Sequence, residues 1–205
     1  MNENMKKRLI ESAAIIAGLV VLFVVIDLIM NGAAENTVEI DGEIHSLTAV
    51  SLDISPMTDN GLERIADLRR LERLTITPYK AKLRLAVDND PNIEDKRKMY
   101  DEIERSYGSC TDIPDISFLK GLDKLEYLDI SYCAVDDISV LSGLESLQEV
   151  DISYTDVADI SPLLTLPELT TVKISGLELS DDSIKGFTDK GFSVMTDDVS
   201  KMLKK

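Results

Sequence analysis

Two stretches of 13 residues, 22 positions apart, have nearly the same sequence. Residues 129–141 read DISYCAVDDISVL and residues 151–163 read DISYTDVADISPL. The apolar positions of 125–146 recur in 147–168, and a third copy begins at Leu169 before the pattern drifts. One such unit cannot bury its apolar residues alone, whereas stacked units bury them against one another. The interval therefore predicts a solenoid of stacked coils.

Within each unit, an L-x-x-L-x-L run predicts a short strand whose alternation turns Leu128 and Ile130 inward. The segments LEYLDISYCAVDDISVLSGL, LQEVDISYTDVADISPLLTL and LTTVKISGLEL resemble the leucine-rich repeat, in the 22-residue class of bacterial internalins. The resemblance covers about residues 36–205. It implies an α/β solenoid, a short horseshoe of about five coils with a cap at each end. The ninth position, usually Asn in that family, holds Cys133, Thr155 and Leu177.

The repeat is predicted to occupy residues 47–179, with Leu47, Val50 and Leu52 in its first strand. Before it, VEIDGEIH has the Asp-Gly pair of a tight hairpin turn, so residues 31–46 are interpreted as a linker and an N-terminal cap hairpin. After it, residues 180–205 break the pattern and are interpreted as the C-terminal cap.

An insertion interrupts the repeat at about residues 78–110. Leu71 and Leu125 lie 54 residues apart, which is one period of 22 plus 32. Residues 91–108 show the spacing of an amphipathic helix, and 82–88 are predicted to form a strand pairing with 73–77. Because the insertion leaves the end of a concave strand, we expect it to overhang that face and to serve binding; a decoration without a ligand is the alternative. The stretch DNDPN begins like a calcium loop but lacks the later Gly and Glu, which favours an acidic turn.

The N-terminus has the pattern of a membrane anchor. Residues 1–8 carry a basic cluster, and residues 9–30 are almost continuously apolar, long enough to span about 33 Å as a helix. The next basic residue is Arg64, so the positive-inside rule predicts a single-pass cell-membrane protein with a cytoplasmic N-terminus and the repeats outside. The alternative is a signal peptide cut near 32–34, which would give a secreted protein.

The composition excludes several classes of function. The formal net charge is −16, and the acids and bases of the first 30 residues cancel, so the whole charge belongs to the remainder. This argues against a nucleic-acid partner, because phosphate binding needs clustered basic residues. One histidine and two cysteines are too few for a zinc site, and His45, interpreted as a surface residue, has no nucleophile pattern around it. We predict no enzyme activity, no metal and no cofactor.

The two cysteines are predicted to meet. Cys133 holds an inward position, and Cys110 falls one residue before the equivalent place in the preceding coil. Adjacent coils are about 5 Å apart, which a disulfide can bridge, and export would permit oxidation. The alternative is two separate buried thiols.

The outward positions of the concave strands form the candidate binding surface. Its residues are Tyr127, Asp129, Tyr132, Glu149, Asp151, Tyr154 and Lys173. Tyrosine is enriched at binding hot spots, and an acidic surface favours a basic partner, although duplication alone would also copy these residues.

The leading hypothesis is a non-catalytic, membrane-anchored, extracytoplasmic module that binds another protein through its concave face. The alternative is a structural or accessory subunit of an envelope complex, contacting its partners through the membrane helix or the 78–110 insertion. A sugar-binding module is less favoured because the chain has no tryptophan.

Overall fold

A computed structural model describes residues 36–108 and 112–196 of the chain. The predicted membrane segment at 9–30, Cys110 and the last nine residues lie outside these ranges. Within the described ranges, no helix has the length and apolar character needed to cross a membrane.

An antiparallel hairpin precedes the repeats. Strands β1 (Thr37–Ile40) and β2 (Glu43–Ser46) are joined by Asp41 and Gly42, which both have positive φ angles, 48° and 81°. This is the turn geometry that matches the twist of a hairpin. The Asp41 carboxylate accepts hydrogen bonds from the backbone N–H groups of Met57 and Thr58, at 2.7 and 3.2 Å. These bonds tie the hairpin to the loop of the first coil.

In the described part of the chain, six parallel strands form one sheet in chain order. They are β3 (Ser51–Ile54), β4 (Arg73–Ile76), β5 (Tyr127–Asp129), β6 (Glu149–Asp151), β7 (Thr171–Lys173) and β8 (Ser193–Met195). Leu52 pairs with Leu74, and the series continues with Leu128, Val150, Val172 and Val194 at the matching places of β5 to β8. Each step is 22 residues except Leu74 to Leu128, where the insertion lies. The predicted repeat is thus observed as a ladder of parallel strands.

Two details of the repeat differ from the sequence-based expectation. The first strand begins at Ser51, and Leu52 pairs with Leu74, so Val50 lies at the place of Glu72, ahead of the strand, and is 44% exposed. At the other end, β8 lies inside the segment assigned to the cap but keeps the 22-residue register. The drift after Leu179 reflects helix α3 (Asp181–Asp189), which takes the place of the short 3-10 helices of earlier coils. The ladder therefore has six strands instead of the expected five or so.

The core lies between the sheet and a row of 3-10 helices. These helices are Leu62–Asp67, Ser117–Leu119, Ser139–Gly143 and Ser161–Thr165. The last three each begin with Asp-Ile-Ser: the carboxylates of Asp115, Asp137 and Asp159 accept the backbone N–H two residues later, at 2.7–2.8 Å. The same hydrogen bond lowers the pKa of Asp137 and of Asp159. The repeated triplet is therefore a helix start that the acid stabilises while its isoleucine enters the core.

The insertion folds as a pair of helices, α1 (Tyr79–Asn89) and α2 (Lys96–Tyr107). The amphipathic helix predicted within 91–108 is α2, but the strand predicted at 82–88 is wrong, because that segment is part of α1. Val87 and Ile103 are buried, yet they lie outside the main core of the described residues. The insertion therefore buries apolar side chains of its own apart from the main core.

Candidate functional site

The outward side chains of β4 to β7 contact one another across the sheet. The Arg73 guanidinium lies 4.0 Å from the centroid of the Tyr127 ring. The Lys173 Nζ lies 2.6 Å from Glu149 Oε1 and 3.8 Å from Asp151 Oδ2. The same ammonium is 5.8 Å from the Tyr127 centroid. We call these five residues, Arg73, Tyr127, Glu149, Asp151 and Lys173, the concave network.

Two members of the concave network, Lys173 and Tyr127, each keep one protonation state near neutral pH. The hydrogen bond to Glu149 raises the pKa of Lys173, which therefore stays charged. Burial raises the pKa of Tyr127, with a further contribution from Asp129, so this phenol stays neutral. Neither group is tuned toward pH 7, as a general acid or base would be.

Asp129 and Asp151 have a local structural role. Their carboxylates accept hydrogen bonds from the backbone N–H groups of Ser131 and Ser153, at 2.9 and 3.0 Å. This Asp-x-Ser contact ends each strand and starts the turn that follows. In the next coil the matching position is Lys173, which contacts Asp151 instead of capping a turn. Lys173, which the predicted surface already included, therefore places a cation beside these carboxylates.

Tyr132 and Tyr154 follow those turns in an unusual backbone conformation. Their φ angles are 64° and 58°, in the left-handed region that costs energy for residues other than glycine. Their backbone N–H groups donate to the Ser153 and Ser175 carbonyls, at 3.0 and 2.8 Å. The third copy has Gly176 at this place, with φ 75°. Hydrogen bonds between coils thus hold both tyrosines at the carboxyl ends of the strands.

The two tyrosine rings stack on each other and on the following coil. Their centroids are 4.7 Å apart and their planes differ by 15°. A Cβ atom at Gly176 would lie 2.4 Å from Tyr154 Cδ1, so that ring covers the glycine backbone. Tyr154 is nevertheless 45% exposed. We call Tyr132 and Tyr154, which hold matching positions 22 residues apart, the tyrosine pair.

A cleft of about 820 Å³ separates the insertion from the tyrosine pair. We call it the insertion cleft; α1 and α2 form one side, and Tyr132, Tyr154 and Asp156 lie on the other. The insertion therefore overhangs the rim at the carboxyl ends of the strands. Sequence reasoning did not single out Lys80, Arg84 or Asp156 for this region, because the fold of the insertion was needed to place them.

Ion pairs fix the insertion side of the cleft. Lys80 Nζ lies 2.8 Å from Asp112 Oδ2, and Arg84 Nη2 lies 2.5 Å from Glu104 Oε1. The Tyr100 hydroxyl donates to the Asp88 carboxylate, and this hydrogen bond raises the pKa of Tyr100. The Lys80–Asp112 pair joins α1 to the coil itself, because Asp112 belongs to the return segment of the repeat.

Cys133 is buried, with 1% of its surface exposed, and its Sγ lies 3.6 Å from the Ile76 carbonyl oxygen. Burial raises the pKa of the Cys133 thiol to about 12. Its predicted partner Cys110 lies outside the described residues, so the disulfide stays a prediction.

The remaining sequence candidates lie apart from the concave face. His45 is half-buried rather than a surface residue, and burial lowers its pKa. Asp90 of the DNDPN stretch accepts the Asn92 backbone N–H at 2.8 Å, as in an acidic turn before a helix. Residues 36–108 and 112–196 hold no group of three or more His, Cys, Asp or Glu side chains arranged for a metal ion.

No protein-family model matches the chain, and no curated protein does either. Among solved structures, an internalin C2 from Listeria monocytogenes is 20% identical, with 80% of this chain and 81% of that chain covered at a TM-score of 0.38. An internalin InlF from the same species is 15% identical, with 76% and 50% covered at a TM-score of 0.36. The described residues form a solenoid of the leucine-rich-repeat fold, as the parallel strands and their 22-residue register show.

Proposed function

We propose that this chain is a non-catalytic, membrane-anchored, extracytoplasmic module that binds another protein through its concave face. The observation that supports this most strongly is the concave network, in which side chains from four neighbouring strands form one charged and aromatic surface. Residues 9–30 supply the argument for anchoring, from their sequence alone.

The composition of this surface suits protein recognition. Tyr and Arg are enriched among residues that dominate binding energy, and here Arg73 lies directly over Tyr127. The side chains project from strands, so little conformational entropy is lost when a partner binds. The engaged ion pairs leave no carboxylate and base set apart for proton transfer on this surface, which favours binding over catalysis.

The expected partner surface is basic. The chain has a net charge of −16, which would attract a positively charged partner over a distance of about one Debye length. Lys173 provides an exception within the acidic surface, since it contacts Glu149 and Asp151. A partner would therefore need a carboxylate or a carbonyl opposite Lys173, and cations around it.

The test is capture of the partner after chemical crosslinking in intact cells. The variant Glu149→Gln/Lys173→Gln removes the central ion pair without changing the net charge. Its control, Lys124→Gln/Glu145→Gln, makes the same change at two exposed residues that precede β5 and β6. We expect the concave variant to lose at least 80–90% of a dominant adduct, as about 1–2 kcal/mol of lost binding energy implies, and the control to keep it. Equal capture by both variants, with both folded, would rule out the concave face as the binding site.

A second candidate is an accessory envelope subunit that contacts its partner through the insertion. The burial of Val87 and Ile103 apart from the main core of the described residues favours it, because the insertion then packs partly on its own. In that case the concave variant would retain the partner, and a chain lacking residues 79–110 would lose it.

A further inference from the structure

The insertion cleft is large enough for a peptide segment. Its volume of about 820 Å³ is near the upper end of ordinary ligand pockets, which range over about 300–1,000 Å³. Its walls come from two different units, the insertion and the turns after β5 and β6. An extended chain could therefore pass between them along the rim of the solenoid.

The charges of the cleft leave an acidic surplus beside an aromatic surface. Lys80 is paired with Asp112, and Arg84 is paired with Glu104, so those charges compensate each other. The other carboxylates of the lining belong to Asp88 and Asp156. Asp88 accepts from the Tyr100 hydroxyl and lies 4.0 Å from the Lys96 ammonium. Asp156 is exposed and lies two residues after Tyr154.

Backbone hydrogen bonds to the next coil keep the tyrosine pair in a conformation that costs energy for residues other than glycine. Tyr132 and Tyr154 have left-handed backbones, and the equivalent residue of the next coil is Gly176. Their rings stack at 4.7 Å and Tyr154 also covers Gly176, so the pair forms a rigid apolar surface at the cleft. The alkyl part of an arginine or lysine side chain can pack on such a surface while an adjacent carboxylate attracts its charged end.

We infer that the insertion cleft binds an extended basic segment of the partner protein, with an arginine or lysine side chain placed against the tyrosine pair and Asp156. This inference rests on the proposed function for the identity of the partner, but the cleft is separate from the concave network. A single partner would then touch the chain twice, by its surface on the concave network and by a basic segment under the insertion.

The test measures peptide binding to the full-length chain in a non-ionic detergent by fluorescence anisotropy. The probe is a labelled heptapeptide with two arginines among glycines and serines, and its neutral counterpart carries citrulline at both places. We expect the arginine peptide to bind at least tenfold more tightly than the citrulline peptide. Asp156→Asn removes the carboxylate and Tyr154→Asn removes the apolar packing surface, so each should weaken binding about three- to tenfold. Asparagine is chosen at position 154 because it tolerates the left-handed backbone there.

Two controls separate the cleft from bulk charge and from the concave face. Glu145→Gln removes the same charge as Asp156→Asn at an exposed residue before β6, and it should leave peptide affinity unchanged. Glu149→Gln/Lys173→Gln should also leave it unchanged while reducing partner capture in cells. Equal binding of the two peptides, or an equal loss in Glu145→Gln and Asp156→Asn, would overturn the inference about the cleft. Peptide binding without any captured partner would contradict the proposed function and leave the cleft assignment standing.

Discussion

The residues that matter most locally are those at the eighth place of each coil, just after the strand. Tyr132, Tyr154 and Gly176 share a left-handed backbone there, whereas Pro56 and Pro78 hold the same place in earlier coils. Glycine is the residue that adopts this conformation without steric cost. Two tyrosines adopt this conformation despite its energetic cost, which indicates that their rings have a role in packing or binding.

The substitution Gly176→Ala tests this packing. A Cβ atom would meet the Tyr154 ring at 2.4 Å, and the backbone has φ 75°, so we expect a loss of about 1–2 kcal/mol from the backbone plus a further loss from the ring contact. Urea unfolding measures the difference. Gly143→Ala is the matched control, because nothing lies within 4 Å of its Cβ position, and it should stay within about 0.5 kcal/mol. In a Tyr154→Gly background only the backbone cost should remain; an unchanged penalty there would show that the ring plays no part.

Cys133 gives a pH-dependent prediction. Its folded pKa is raised from 9.0 to about 12, so the neutral thiol is favoured in the fold. The contribution to stability is complete below about pH 9 and is lost as the pH rises toward 12. Under reducing conditions, wild type should therefore lose stability over this range more steeply than Cys133→Ala. Both proteins share every other titratable group, so parallel curves would mean that the thiol is not protected by burial.

At the level of the elements, the repeat spacing was predictable and the insertion was predictable only in part. The 22-residue interval places every inward leucine, isoleucine and valine of the middle coils, because each coil packs its apolar side chains against the next coil in the same way. The error at 82–88 arose because K-L-R-L-A-V alternates like a strand, while its Ala, Leu, Lys and Arg are helix formers with no open sheet edge to join. The triplet Asp115–Ser117 repeats Asp137–Ser139 at the 22-residue interval and could have located the return half of the interrupted coil.

The insertion should be removable as a unit. Deleting residues 79–110 restores 22 residues between Leu74 and Leu128, and it leaves Pro78 in the place that Pro56 already holds in the first coil. We expect a chain that still unfolds in one cooperative step, with a smaller denaturant dependence because less surface is buried. A deletion of 79–112 is the control, since it also removes the Asp112 carbonyl that accepts the Ala134 N–H at 2.7 Å, and it should be less stable. A non-cooperative transition in the first deletion would show that the insertion belongs to the core.

On the scale of the whole molecule, the candidate site has two parts, and the sequence predicts one of them better than the other. The concave network and the tyrosine pair follow from repeat register, so their positions could be predicted from residue spacing. Their contacts could not: the ion pair of Lys173 with Glu149 and the placement of Arg73 over Tyr127 depend on side-chain directions across separate coils. The insertion cleft depends on tertiary placement of two helices, which no local pattern in the chain encodes.

The most direct test of the central claim is photo-crosslinking in intact cells from single positions. A photoreactive phenylalanine analogue would replace Thr75 on β4 or Thr171 on β7, both outward on the concave face, or Glu145 before β6, or Arg97 on α2. A binding surface on the concave face predicts the same protein adduct from Thr75 and Thr171 and none from Glu145. An adduct obtained only from Arg97, with no product from either concave position, would contradict the account.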